Sequence, residues 1–137
     1  MNHLDIVIPA KQDEIPKVVA DIEEILTSQE FSAEAILDVQ LAMEEVIVNI
    51  INYGYCGREG TIAIRCEASP SQVTLEISDS APAFNPLSAA EPDVTSAIDE
   101  RSIGGLGIFL VRQVMDTVTY RHKNHKNLLT LVKVKRG

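Results

Sequence analysis

No stretch of the chain approaches the ~18 consecutive apolar residues that a membrane-spanning helix needs, so no span is expected. The residues from Met1 to Pro9 lack the basic start and long apolar stretch of a secretion signal, which points to an intracellular, cytoplasmic protein. Cysteine is scarce. Cys56 and Cys66 are the only two, neither sits in a CxxC pair, and His3, His122 and His125 stand at no ligand spacing from them. A zinc site is therefore not expected, and both cysteines read as reduced thiols. Basic residues are too few for general nucleic-acid binding: 12 Lys and Arg face 20 Asp and Glu, a formal charge of −8. Internal repeats and linkers are also missing.

What is present suits one domain over residues 1–137. An apolar share of 45% and a charged share of 23% are ordinary for a globular chain and argue against disorder. The charge is segregated. Gln12 to Glu45 holds ten acidic residues and one Lys, whereas Thr117 to Gly137 holds six Lys or Arg and no acid. The basic end reads either as a solvated strand face or as a docking surface for an acidic partner.

Alternation of Leu4, Ile6 and Ile8 marks a short first strand ended by Pro9. Helical spacing of Val18, Val19, Ile22, Ile25 and Leu26 predicts a helix from Pro16 to about Gln29. Ser32 is placed to cap a second, mostly apolar helix that runs to about Tyr53 and stops at Gly54. Thr61 to Glu67 and Val73 to Ser78 alternate as a strand pair around Ser69-Pro70-Ser71. Ala81 to Arg101 reads as a long loop or lid, and Leu106 to Met115 as a helix opening in glycine. Val118 to Arg121 and Leu128 to Lys135 complete the strands, joined by a turn from His122 to Asn127. Strands in consecutive blocks predict an α+β, two-layer sandwich: a mixed or mostly antiparallel sheet with helices on one face.

Three segments carry candidate chemistry. Glu45 and Asn49 stand four apart and so project from one helix face. A carboxamide oxygen can ligate Mg²⁺, and a carboxylate can take a proton or orient a nucleophile; the plain alternative is a solvated helix edge with Glu44. Asp79 ends a strand, where it can accept from an amine in a pocket or merely start a turn. Gly104-Gly105-Leu106-Gly107 opens a helix whose free N–H groups suit phosphate, or else serves close packing. No GK[ST] follows, which excludes a Walker-type loop, and the spacing is poor for a dinucleotide fingerprint.

Taken together, these residues resemble the GHKL ATPases, the superfamily that joins histidine kinases with type II topoisomerases. Glu45-x-x-x-Asn49 resembles its N box, Asp79-x-Ala81-x-Ala83 its first glycine box, and Gly104-Gly105-Leu106-Gly107 its second. Thr130 is similar to the threonine that closes the adenine pocket. The stretches Leu41 to Tyr55, Ser78 to Pro86 and Gly104 to Tyr120 resemble the stand-alone anti-sigma factor serine/threonine kinases. The resemblance implies a histidine-kinase-like ATPase fold with ATP and Mg²⁺ as cofactors. Glu45 would be the general base and Asn49 the metal ligand. Asp79 would bind the adenine amine with Thr130, and the glycines with Leu106 would line the phosphates. Arg101 would reach the γ-phosphate, or instead pair with Asp99 or Glu100. Ala81 and Ala83 stand where the family usually has glycine, and Tyr53 where many members have His. The implied activity is transfer of the γ-phosphoryl group to a Ser or Thr of a small anti-sigma-factor antagonist, with a sigma factor as a further partner. Neither nucleic acid nor membrane is contacted directly. The edge strand Leu4 to Ile8 admits a homodimer. The alternative is a non-catalytic, ATP-gated protein-binding module.

Overall fold

The computed structural model describes residues 2–83 and 109–135. Five strands form one sheet: β1 (His3–Pro9), β2 (Thr61–Ala68), β3 (Gln72–Asp79), β4 (Thr117–Lys123) and β5 (Lys126–Val134). Their spatial order is β1-β2-β3-β5-β4, and every pairing among the described residues is antiparallel. The α+β expectation therefore holds, without the mixed pairing it allowed.

Two helices, α1 (Ile15–Ser28) and α2 (Ala33–Asn49), supply the second layer. Pro16 starts α1, where its missing N–H costs nothing. Ser32 caps α2, accepting from the Ala35 N–H at 3.1 Å. The core lies between the layers. Val18, Ile22, Val39, Met43 and Ile47 from the helices meet Ile62, Ile64, Leu75, Ile77 and Leu131 from the sheet, all at most 1% exposed. Each such side chain contributes roughly 1.5–3 kcal/mol of burial. Gln40 of α2 donates to the Val19 carbonyl of α1 at 3.1 Å, fixing the register of the helix pair.

The second helix does not run regularly to Gly54. After Asn49 it widens into a π turn over Ile50–Gly54, closed by the Tyr55 N–H on the Ile50 carbonyl at 2.8 Å. Such widened turns recur at functional sites. Cys56 and Gly57 then take left-handed φ values of 54° and 79° and reverse the chain toward β2.

The loop between β4 and β5 is tighter than the six residues expected. Asn124 and His125 have φ of 55° and 61°, so a two-residue turn suffices. The shorter turn carries β5 back to Lys126 and brings Asn127 into the ladder opposite Asp79. Residues 109–114 are helical, in keeping with the expected glycine-led helix as far as it is described. Most of the expected lid, Ala81 to Arg101, lies outside the described residues.

Candidate functional site

Glu45 and Asn49 both fall in the last two turns of α2, on one stripe of the helix. Asn49 is 6% exposed and its Nδ2 donates to the Glu45 main-chain carbonyl at 2.9 Å. That bond fixes the amide so that Oδ1 is the outward atom. Among the described residues no group donates to Oδ1 or to the Glu45 carboxylate, and no fully buried side-chain oxygen lacks a partner. Both therefore reach solvent. An uncharged, immobilised oxygen beside a half-buried carboxylate suits a hard cation that keeps most of its ligands elsewhere. The described residues hold no cluster of three or more His, Cys, Asp or Glu able to cage a metal alone.

Asp79 ends β3 on the face turned to the helices and is 7% exposed. Its Oδ1 accepts from the Ala81 N–H at 3.0 Å and from Asn127 Nδ2 at 2.9 Å. No described residue donates to its Oδ2. Tyr55 braces the same turn. Its hydroxyl donates to the Thr61 carbonyl at 2.6 Å and accepts from the Ser80 N–H at 2.9 Å. The Tyr55 ring also covers Gly60 so closely that an added Cβ would lie 2.3 Å from it.

The two groups belong to one region. A Cβ built on Gly54 would meet the Ala81 methyl at 3.4 Å, so the turn after Asp79 rests on the end of the helix that carries Asn49. Ala81, 3% exposed, thus packs its methyl against Gly54, and Ala83 is exposed. Small residues at 54 and 81 permit this approach. Away from that turn, Lys133 donates to Asp38 Oδ2 at 3.1 Å and to the Val114 carbonyl at 2.6 Å. Asp38 is two turns before Glu45 on the same side of α2. The helical residues 109–114 are thereby held along that side.

Thr130 stands elsewhere. It pairs with Glu76 and Thr119, three residues along β5 from the Asp79–Asn127 pair. Side chains alternate along a strand, so an offset of three puts Thr130 on the opposite, open face of the sheet. The strand residue that meets Asp79 is Asn127. It was hidden because the sequence pattern assigned it to the turn. The signal that finds it is the inward alternation of Leu129 and Leu131, continued back by two residues once Asn124-His125 is taken as the whole loop. Arg101, Gly104, Gly105, Leu106 and Gly107 lie outside the described residues.

Of the cysteines, Cys56 is exposed and Cys66 is buried in the sheet. Burial, with the neighbouring Glu67 charge, pushes the Cys66 thiol up to about 12. No helix among the described residues is long and apolar enough to cross a membrane.

A sequence profile described as the histidine kinase-like ATPase domain matches residues 8–133. The chain is 27% identical over 111 residues to the serine/threonine-protein kinase BtrW of Bordetella bronchiseptica, covering 80% of this chain and 78% of that protein. It is 28% identical over 116 residues to the serine-protein kinase RsbW of Listeria monocytogenes, covering 81% and 74%. Among solved structures it resembles a crystal structure of RsbU and RsbW domains from Mycobacterium tuberculosis, with a TM-score of 0.62 and 15% identity. That likeness is one of fold; it covers 99% of this chain and 33% of the other.

Proposed function

The chain belongs to the histidine kinase-like ATPase domain family, and from that premise we propose that it is a serine/threonine protein kinase of the anti-sigma regulatory type. Residues 1–137 act as one ATP-binding domain. Its acceptor is a hydroxyl on a small partner of the antagonist class, and a sigma factor is a second partner. The kinase names of relatives at 27–28% identity support the reaction class. The observation that carries the reading is the Glu45–Asn49 pair, one helical turn apart and with no described residue donating to its side-chain oxygens, together with a strand-end Asp79 whose Oδ2 has no partner among the described residues.

Each residue then has one task. Asp79 Oδ2 accepts from the amine of the base. Asn49 Oδ1 fits Mg²⁺, which when bound neutralises phosphate charge; the other ligands would come from phosphates and water. Glu45 takes the proton of the acceptor hydroxyl as its oxygen bonds the γ-phosphorus. The bond from that phosphorus to the β–γ bridging oxygen breaks, and ADP leaves with the electron pair. The protein's contribution is placement and a base, since phosphoryl transfer asks little covalent chemistry of it. Arg101 and the 104–107 turn, with Leu106, complete the phosphate end in this reading. The edge strand β1, paired only with β2 among the described residues, is the proposed homodimer contact.

The test is incubation of the protein with labelled ATP, Mg²⁺ and candidate antagonist-type partners, followed by phosphosite mapping. Label on a single Ser or Thr of a partner is expected. Tight Mg-ATP binding without transfer to any partner would instead support the non-catalytic binding module.

A further inference from the structure

We infer that Asn127, held by Tyr120, is the positioning residue that makes the base end of the pocket select a 6-amino over a 6-oxo purine. The inference rests on the nucleotide reading above and adds to it a residue outside its motifs.

The chemistry of the contacts fixes the Asn127 amide in one orientation. Its Nδ2 lies 2.9 Å from Asp79 Oδ1, 3.1 Å from the Ala81 carbonyl and 3.2 Å from the Pro82 carbonyl. Its Oδ1 accepts from the Tyr120 hydroxyl. Turned over, the amide would set its oxygen against a carboxylate and two carbonyls, which is repulsive throughout. Asn127 is 5% exposed, so the arrangement is sheltered from competing water.

The consequence falls on Asp79. With Oδ1 occupied by two donors, the carboxylate cannot rotate without losing both. Oδ2 is left as a single acceptor of fixed direction. A 6-amino group supplies the N–H that this oxygen needs. A 6-oxo group would place oxygen against oxygen. Once a bound base covers that oxygen, leaving it unpaired disfavours the wrong base by roughly ten- to a hundredfold. Without Asn127, the carboxylate can swing aside, so it holds adenine less well and rejects the oxo purine less strongly.

The experiment measures ATP and GTP affinity by calorimetry for the parent, Asn127→Ala and Tyr120→Phe, with thermal midpoints alongside. The parent is expected to prefer ATP by at least about tenfold. Asn127→Ala should lose most of that ratio, mainly through weaker ATP binding with GTP unchanged or tighter. Tyr120→Phe, which removes only the distant hydroxyl, should shift the ratio the same way by a smaller factor. Equal weakening of both nucleotides would assign Asn127 a purely structural role and overturn the inference. So would an unchanged ratio in the Tyr120→Phe protein should Asn127→Ala fail to fold. A folded parent that binds neither nucleotide would fail the broader reading; one that binds both equally would fail this inference alone.

Discussion

The two ends of the candidate site are built in opposite ways. At the α2 end, one hydrogen bond joins Asn49 to the Glu45 backbone, and no described residue bonds the Asn49 Oδ1 or the Glu45 carboxylate, the oxygens proposed to do the chemistry. At the β3–β5 end, Asp79, Asn127, Tyr120, Tyr55 and the 79–82 turn share six hydrogen bonds among the described residues. The difference suits their proposed tasks. A base and a metal ligand must exchange partners during a cycle, so they are held by the backbone and kept free at the tip. A recognition group must keep one direction, so its surroundings are saturated. Stability and activity should therefore separate between the two ends.

The largest effect is expected from Glu45→Gln. Transfer to the partner should fall at least about a hundredfold, as for loss of a general base. ATP affinity should hold, and the urea midpoint should barely move, because the carboxylate has no partner among the described residues to lose. A clear fall in stability would erase the contrast. Asp79→Ala should do the reverse at the other end. It strips an acceptor from two buried donors, so stability should drop by roughly 1–3 kcal/mol along with ATP affinity. Tyr55→Phe should cost about 1 kcal/mol in chemical denaturation, since the Ser80 N–H loses its acceptor. An unchanged midpoint would show that the brace is dispensable.

An effect of similar size to that of Tyr55→Phe lies away from both ends, at Cys66. Its thiol is raised from 9.0 to about 12 in the fold. The unfolded chain thus ionises first, and stability is full below about pH 9 and declines as pH climbs toward 12. Urea midpoints at pH 8 and 10 should separate more in the parent than in Cys66→Ala; an equal separation would contradict the shift.

The α2 end was legible because one helix supplies both residues, and a spacing of four puts them on one stripe whatever the rest of the chain does. The β3–β5 end was not, because strand faces depend on register. Reading six residues as the hairpin loop removed Asn127 from the ladder, and Thr130 stood in for it on a strand whose inward positions are 127, 129 and 131. A two-residue loop built on Asn124 and His125 settles that register, and only pairing with β3 shows which residue meets Asp79. The π turn was hidden for a similar reason. Nothing local to Ile50–Gly54 requires it, and its contact at Ala81 comes from 27 residues away.

The central claim is that an amide and a carboxylate on α2 face a metal-bound nucleotide whose base reaches Asp79. Calorimetric titration of the protein and of Asn49→Ala with ATP, with and without Mg²⁺, tests it most directly. Binding by the parent should strengthen markedly with Mg²⁺, and that gain should vanish in Asn49→Ala. Equal binding with and without the metal, or no binding by the folded parent, would contradict it.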